Sequence, residues 1–464
     1  MSLMAVTLGP VFERFVQASP VAVMVRILME HALGESALEN LFNRTARQQY
    51  TRELLFSSCV DLMSMIVCNV HPTIHAAYQN VAESLPVSLT SVYNKLDAME
   101  PTISAALVHH TASMFEPVIQ SMGAEYPELL PGYRVKILDG NHLAATERRL
   151  AALRGSHAGP LPGQCVVVLD PALMLAIDVI PCEDGHAQER SLTEPILACV
   201  APDDVWVGDR NFCTTNLLFG IAQRNAYYVI RQHGTCAPWQ AIGKRRRKGR
   251  SDTGVVFEQD IVLTDAHGAQ QQARRITVEL DTPTRDKDTA IHIVTNLPKS
   301  TVHAKQIATV YRKRWTLETL FLELTTTLTC ELNTMGYPKA ALFGFCVALM
   351  AYNVVSVVKA ALRAEHGSTV VDTEVSGFYL ASEVRVDYHG MMIAVPAPKW
   401  KAFRKLSSTQ VGTELRRIAR GARLRVYKKH PRGPKKPVPK RTKYINKKHV
   451  STAQLLAQTG QNAP

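Results

Sequence analysis

Three carboxylates in this chain stand where the cleavage of a phosphodiester would require them. Asp139 follows the apolar run Val135–Leu138 in ILDGNHL, and Asp209 follows a second apolar run in VWVGDRNF. An acid at the end of such a strand projects into the crevice where open α/β sheets bind ligands. Either aspartate alone reads equally well as a turn or a cap. The third acid lies in VYRKRWTLETLFLE, residues 310–323. At about 100° per residue, Tyr311, Arg314 and Glu318 share one stripe of a helix spanning Val310–Glu323, while Glu323 points elsewhere. By spacing alone that stripe is also compatible with a surface ion pair. Three hard oxygen donors suit Mg²⁺, with Mn²⁺ able to substitute. Two such ions about 3.5–4 Å apart activate the attacking oxygen and stabilise the leaving one. No His/Cys cluster competes for a metal, and the adjacent His109–His110 pair reads as a local structural feature.

These residues need elements to position them. Residues 1–130 read as helical, with apolar positions at helical spacing through Val21–Leu33, Leu54–Val67 and Ile103–Phe115. Pro20, Pro72, Pro86 and Pro101 punctuate them. Leu85–Glu100 has the Ser/Thr start and short helix of a DNA-reading helix-turn-helix, which would present Lys95, or of an ordinary bundle helix. After Pro131 the texture changes to short β-branched strands at Arg134–Leu138, Cys165–Leu169, Leu173–Ile180, Asp204–Val207 and Tyr227–Ile230. Helical patterns at Ala187–Val200 and Thr214–Asn225 separate the later ones. Three strands, then helix, strand, helix, strand, predict an α/β fold with an RNase H-like core over residues 131–366. The 109-residue gap between Asp209 and Glu318 exceeds what one helix and strand need, so residues 234–288 read as a β-rich insertion. It contains the basic run 244–248 (KRRRK), including Arg246, and Trp239. Ala340–Val358 is uncharged and long enough to span a membrane. Asn353, Ser356 and its direct continuation from the Glu318 helix make it a buried core helix instead.

The formal net charge of +13 is unevenly spread. Lys401–Lys448 holds eighteen Lys/Arg against the single acid Glu414, so this stretch carries more than the whole chain's excess. A basic tail over 401–449, within a C-terminal segment 367–464, points to a polyanion, and nucleic acid is preferred over a membrane because apolar anchors are sparse. With Pro431, Pro434, Pro437 and Pro439 in it, the tail is expected to be extended or disordered without a partner. Nine cysteines, odd in number and without a C-x-x-C pair, together with an N-terminus that reads as no signal peptide, predict a reducing, cytoplasmic setting.

The sequence resembles the DDE transposases of bacterial insertion sequences, specifically the insertion-sequence-four group. The resemblance rests on Asp139-Gly140, on Asp209-Arg210-Asn211-Phe212, and on Tyr311, Arg314 and Glu318 in the group's Tyr-x2-Arg-x3-Glu-x6-Lys register. It covers about residues 131–360. It implies a transposase that cleaves transposon ends with Mg²⁺ and transfers the strand into target DNA, with Asp139, Asp209 and Glu318 as catalytic metal ligands. Tyr311, Arg314 and Arg210 would contact DNA, as would Lys95, Arg246 and the tail residues Lys435, Lys436 and Arg441. The partners implied are double-stranded terminal inverted repeats and target DNA, bound by a homodimer at the nucleoid, with no membrane. An aromatic of the insertion stacks on a flipped base in this group, and Trp239 is the Trp available for it here. The chain departs from the signature at Thr325, where the group has Lys. That departure admits an alternative, a catalytically impaired DNA-binding protein derived from a transposase; a metal-dependent nuclease shares the same residues.

Overall fold

The computed structural model describes residues 9–143, 150–154, 159–234, 237–284, 287–330, 335–430 and 449–460. Its twelve strands in chain order are β1 (Arg134–His142), β2 (Gly159–Leu161), β3 (Gln164–Asp170), β4 (Leu175–Cys182), β5 (Asp204–Gly208), β6 (Tyr227–Arg231), β7 (Trp239–Ala241), β8 (Arg246–Ser251), β9 (Gly254–Thr264), β10 (Gln270–Leu280), β11 (Ala290–Thr295) and β12 (His449–Ser451). Ten of them form one mixed sheet in the order β4-β3-β1-β5-β6-β11-β10-β9-β7, with β8 also paired to β9. β1, β3 and β4 run as an antiparallel meander. β5 and β6 lie parallel to β1 on its other side. The sequence of β3, QCVVVLD, is apolar almost throughout, and all seven residues are buried. Continuous apolar strands of this kind belong to a sheet covered on both faces. β9, at the far side of the sheet, instead alternates buried and half-buried positions.

The β-rich segment 234–288 does not stand apart from this core. β11 pairs with β6 along Ile293–Thr295 and with β10 along its whole length, so β7–β10 extend the same sheet. β9 and β10 pair over eleven residues in unbroken register.

The first seven helices end at Met122, and Pro20 and Pro101 each occupy the first turn of one, where a missing N–H costs nothing. Helix Pro101–Met122 and the 29-residue helix Pro338–His366 both pack on β4. The latter is apolar enough to cross a membrane, yet its apolar window is wholly buried inside the protein. Asn353 within it shows why. Its amide accepts from Ala176 N and donates to Ala176 O, both at 2.8 Å, replacing the strand that β4 lacks on its outer edge.

The basic C-terminal stretch is not extended throughout. Ser408–Arg420 is a helix capped by Ser407 and Gln410, with Val411, Leu415, Ile418 and Ala419 buried against helices Pro101–Met122 and Pro338–His366. Its arginines lie on the outer face: Arg416 and Arg420 both pair with Glu365. The high charge of this stretch therefore masks an amphipathic pattern that composition alone does not reveal. Trp400 and Phe403 pack against Phe12, joining the two ends of the chain in one apolar core. Further on, β12 pairs in parallel with β2, and Gln454 donates to Asp184 at 2.8 Å.

Candidate active site

Register places the two aspartates. β1 and β5 pair in parallel up to Ile137 opposite Val207. Two residues further on in each chain segment stand Asp139, still within β1, and Asp209, just past the end of β5. Asp139 lies inside β1 rather than past its end, because β1 runs on to His142 against β3 after β5 has stopped. The crevice thus opens beside Asp139. Asp209 caps the 3₁₀ turn Arg210–Phe212 by accepting from Asn211 N at 2.7 Å, and the buried Phe212 anchors that turn.

The helix carrying the third acid differs from the expected single run. It divides into Ala304–Arg312 and Trp315–Thr327. At the joint, Lys313 N, Arg314 N and Thr316 N bond to carbonyls three residues back, so one tightened turn replaces the α-helical ladder. Arg314 keeps right-handed helical torsions, φ −50° and ψ −36°, so the stripe survives the break. Its guanidinium donates from Nη1 to Asp139 Oδ2 and from Nη2 to Glu318 Oε1, each at 2.7 Å. The Arg314 and Asp139 side chains are nearly buried, at 13% and 15% exposure, whereas Glu318 is 53% exposed. Tyr311 is buried beside Arg314. Glu323 is occupied elsewhere, paired with Lys359.

A fourth carboxylate joins this group. Glu189 sits in the 3₁₀ turn Glu189–Leu192, at the start of what the sequence reads as one longer helix. Its carboxylate covers Gly140 so closely that a Cβ there would lie 1.7 Å from Oε1. Asn211 Nδ2 donates to Glu189 Oε2 at 3.0 Å, so Asn211 holds Asp209 through its backbone and Glu189 through its side chain. No spacing rule identifies Glu189. The signals available were Gly140 directly after Asp139 and an amide directly after Arg210. Burial pushes Asp139 up to about 7; Arg314 opposes the shift, and the negative charges of Asp209 and Glu189 add to it. Burial likewise raises Glu189, with Asn211 opposing and Asp209 adding.

The other residues singled out in the sequence are scattered. Arg210 is exposed next to Asp209. Lys95 does not reach the site: its ammonium donates to Tyr50 O and lies 4.5 Å from the centre of the Phe42 ring. Arg246 begins β8 on an exposed edge of the sheet, remote from β1. One face of Trp239 is covered by the Arg275 guanidinium, 4.7 Å from its ring centre. Lys435, Lys436 and Arg441 lie outside the described residues. Thr325 donates its hydroxyl to the backbone of its own helix, at Phe321 and Leu322. Lys339 lies beside Glu100. His109 pairs with Asp178, and His110 bonds to Ala32 O.

Among the described residues no three His, Cys, Asp or Glu side chains lie close enough together to hold a metal ion. The chemistry of the donors nevertheless fits a hard divalent cation, since Asp139 and Glu318 already converge on one positive group, the Arg314 guanidinium. No curated protein matches the chain. A cryo-EM structure of piggyBac transposase synaptic complex with hairpin DNA aligns with 81% of this chain and 82% of its own, at 9% identity and a TM-score of 0.37, too slight a likeness to argue from. Residues 130–354, which contain Asp139, Glu189, Asp209, Arg314 and Glu318, match the family model described as a transposase DDE domain.

Proposed function

We propose that the chain is a DNA transposase that cuts at transposon ends and transfers the freed strand into target DNA, with Asp139, Asp209 and Glu318 as its catalytic acids. The observation that carries this reading is the Arg314 bridge between Asp139 and Glu318, two residues 179 positions apart, inside the segment that matches the transposase domain. The strand order supports an RNase H-like core: an antiparallel β1-β3-β4 meander with β5 and β6 parallel to β1. Mg²⁺, held by Asp139, Asp209 and Glu318, would supply positive charge at the scissile phosphate. The chain's own residues do the rest. β1 carries Asp139, the turn that follows β5 carries Asp209 beside it, and Asn211 N fixes the Asp209 rotamer. Arg314 keeps Glu318 at the crevice and offers a guanidinium suited to phosphate once DNA arrives. Double-stranded DNA is the partner, engaged by a homodimer.

Purified full-length chain, incubated with labelled transposon-end DNA and Mg²⁺, is expected to nick that DNA and to join it to a target plasmid. Asp139→Ala and Asp209→Ala should each abolish both steps. Undiminished cutting by either variant would sink the assignment. Nicking without joining would favour the nuclease. A wild-type chain that binds ends without cutting them would favour the non-catalytic reading that Thr325 suggests.

A further inference from the structure

The last described residues of the chain close one wall of the candidate active site. β12 pairs in parallel with β2, Ser451 opposite Leu161, and leads into helix Thr452–Thr459, which packs on the short helix Ala151–Arg154. The segment is firmly seated, since Ser451 and Thr452 are fully buried. Ser451 caps the helix by accepting from Gln454 N, and its hydroxyl also bonds to the Asp184 carboxylate. Gln454 Nε2 donates to Asp184 Oδ2 at 2.8 Å, and His186 N donates to Oδ1 at 2.9 Å. Burial alone would raise the Asp184 carboxyl, but these three donors hold it below its ordinary value. A carboxylate held in this way is a stiff post, because hydrogen bonds to an ionised acceptor are about twice as strong as neutral ones.

That post fixes a turn. The Asp184 carbonyl accepts from Ala187 N, and the Ala187 carbonyl accepts from the buried Gln164 amide of β3. Gly185 lies so close to β2 that a Cβ there would stand 2.8 Å from the Leu161 carbonyl oxygen. Leu161 is therefore pressed by the turn and paired to Ser451 at once. Two residues after Ala187 comes Glu189, whose carboxylate covers Gly140 and accepts from Asn211. His449, His186, Glu189 and Asn211 all border one cavity of about 620 Å³. The 3₁₀ turn Glu189–Leu192 has the poorer hydrogen-bond geometry of its kind, so its place depends on what anchors it. We infer that Asp184, clamped by Ser451 and Gln454, is a positioning residue for Glu189. Through this contact between residues 270 positions apart, the C-terminal segment becomes a functional part of the site. The inference rests on the reading that Glu189 belongs to the carboxylate group that would hold the metal, and its test separates the two.

The first measurement is hydrogen exchange of the full-length chain in EDTA, read by mass spectrometry on the peptide covering residues 184–192. Gln454 is exposed, so Gln454→Ala should keep the wild-type unfolding midpoint. Exchange in that peptide should quicken about tenfold, as for loss of one hydrogen bond to a charged group, while β3 stays unchanged. Gln454→Lys, which restores a donor toward Asp184, should return the wild-type rate. Mn²⁺ affinity, followed by electron paramagnetic resonance, should fall severalfold in Gln454→Ala and fall no further when Gln454→Ala is added to Glu189→Gln. Unchanged exchange in both Gln454→Ala and Asp184→Ala would overturn the inference. Loss of Mn²⁺ affinity in Glu189→Gln but not in Gln454→Ala would overturn it alone, leaving the segment a brace with no hold on the site. No loss in either would instead overturn the reading of Glu189 on which it rests.

Discussion

Replacing Arg314 with Ala tests the electrostatics of the site without any metal or DNA. The guanidinium is the cation 2.7 Å from Asp139, whose side chain is 15% exposed and whose other charged neighbours, Asp209 and Glu189, are both acids. An arginine at this distance holds an aspartate down by about 1–3 pH units. Without it, the Asp139 carboxyl should rise from about 7 by roughly that amount. In both proteins the folded chain then keeps a proton that an unfolded aspartate, with a pKa of about 3.9, has released. Stability therefore declines as pH rises between those two values and levels off above the folded one. For wild type the decline ends near pH 7. For Arg314→Ala it continues into the alkaline range at about 1.4 kcal/mol per pH unit. Urea unfolding in EDTA, repeated at half-unit steps from neutral to about pH 9, should show the two curves diverging above neutrality. Asp139→Asn added to Arg314→Ala should remove the divergence. Parallel curves for wild type and Arg314→Ala would refute the claim that Arg314 neutralises Asp139.

Two other substitutions probe the surroundings of the site. Gly140→Ala puts a methyl group 1.7 Å from the present Glu189 Oε1, and because that atom ends a flexible side chain the fold should survive with an unfolding midpoint within a few degrees of wild type. Mn²⁺ affinity, read by electron paramagnetic resonance, should fall about tenfold, as for loss of a hydrogen-bonded charged group worth ~1.5 kcal/mol, and Glu189→Gln should match it; unchanged affinity in both would show that Glu189 is a bystander. Asn353→Leu strips both hydrogen bonds from Ala176 in a fully buried place, and at about 1–3 kcal/mol per orphaned group denaturant unfolding should report a loss of about 2–6 kcal/mol, with a loss below about 1 kcal/mol contradicting the edge-replacement role.

How far the sequence discloses this protein depends on how local each signal is. Strand positions were legible because β-branched runs bounded by turns are local: Asp204–Val207 and Tyr227–Ile230 are each found one residue longer, and the other expected strands shift by a few residues at their ends. The helical phase that separates Glu318 from Glu323 is equally local, and it holds: Glu318 meets Arg314 while Glu323 meets Lys359. What eluded the sequence is relational. Glu189 belongs to the carboxylate group only because a 3₁₀ turn folds over Gly140, a contact between residues 49 positions apart. Helix Ser408–Arg420 was hidden because its arginines dominate composition while its buried stripe, Val411, Leu415 and Ile418, is narrow. The break at Lys313–Arg314 has no proline or glycine to announce it.

The single sheet has a metric consequence. From β1, which bears Asp139, the hydrogen-bonded path to β8, which bears Arg246, crosses β5, β6, β11, β10 and β9. Six steps of about 4.8 Å set a span of roughly 29 Å, and since every step is a backbone ladder, the span cannot stretch or shear without breaking hydrogen bonds. At about 3.4 Å per base pair, that is a gauge of about eight base pairs between a cut phosphate and a basic edge that could grip the same duplex. On the proposed function, the position of a cut would then be measured as a length along the DNA, set by the number of strands in between.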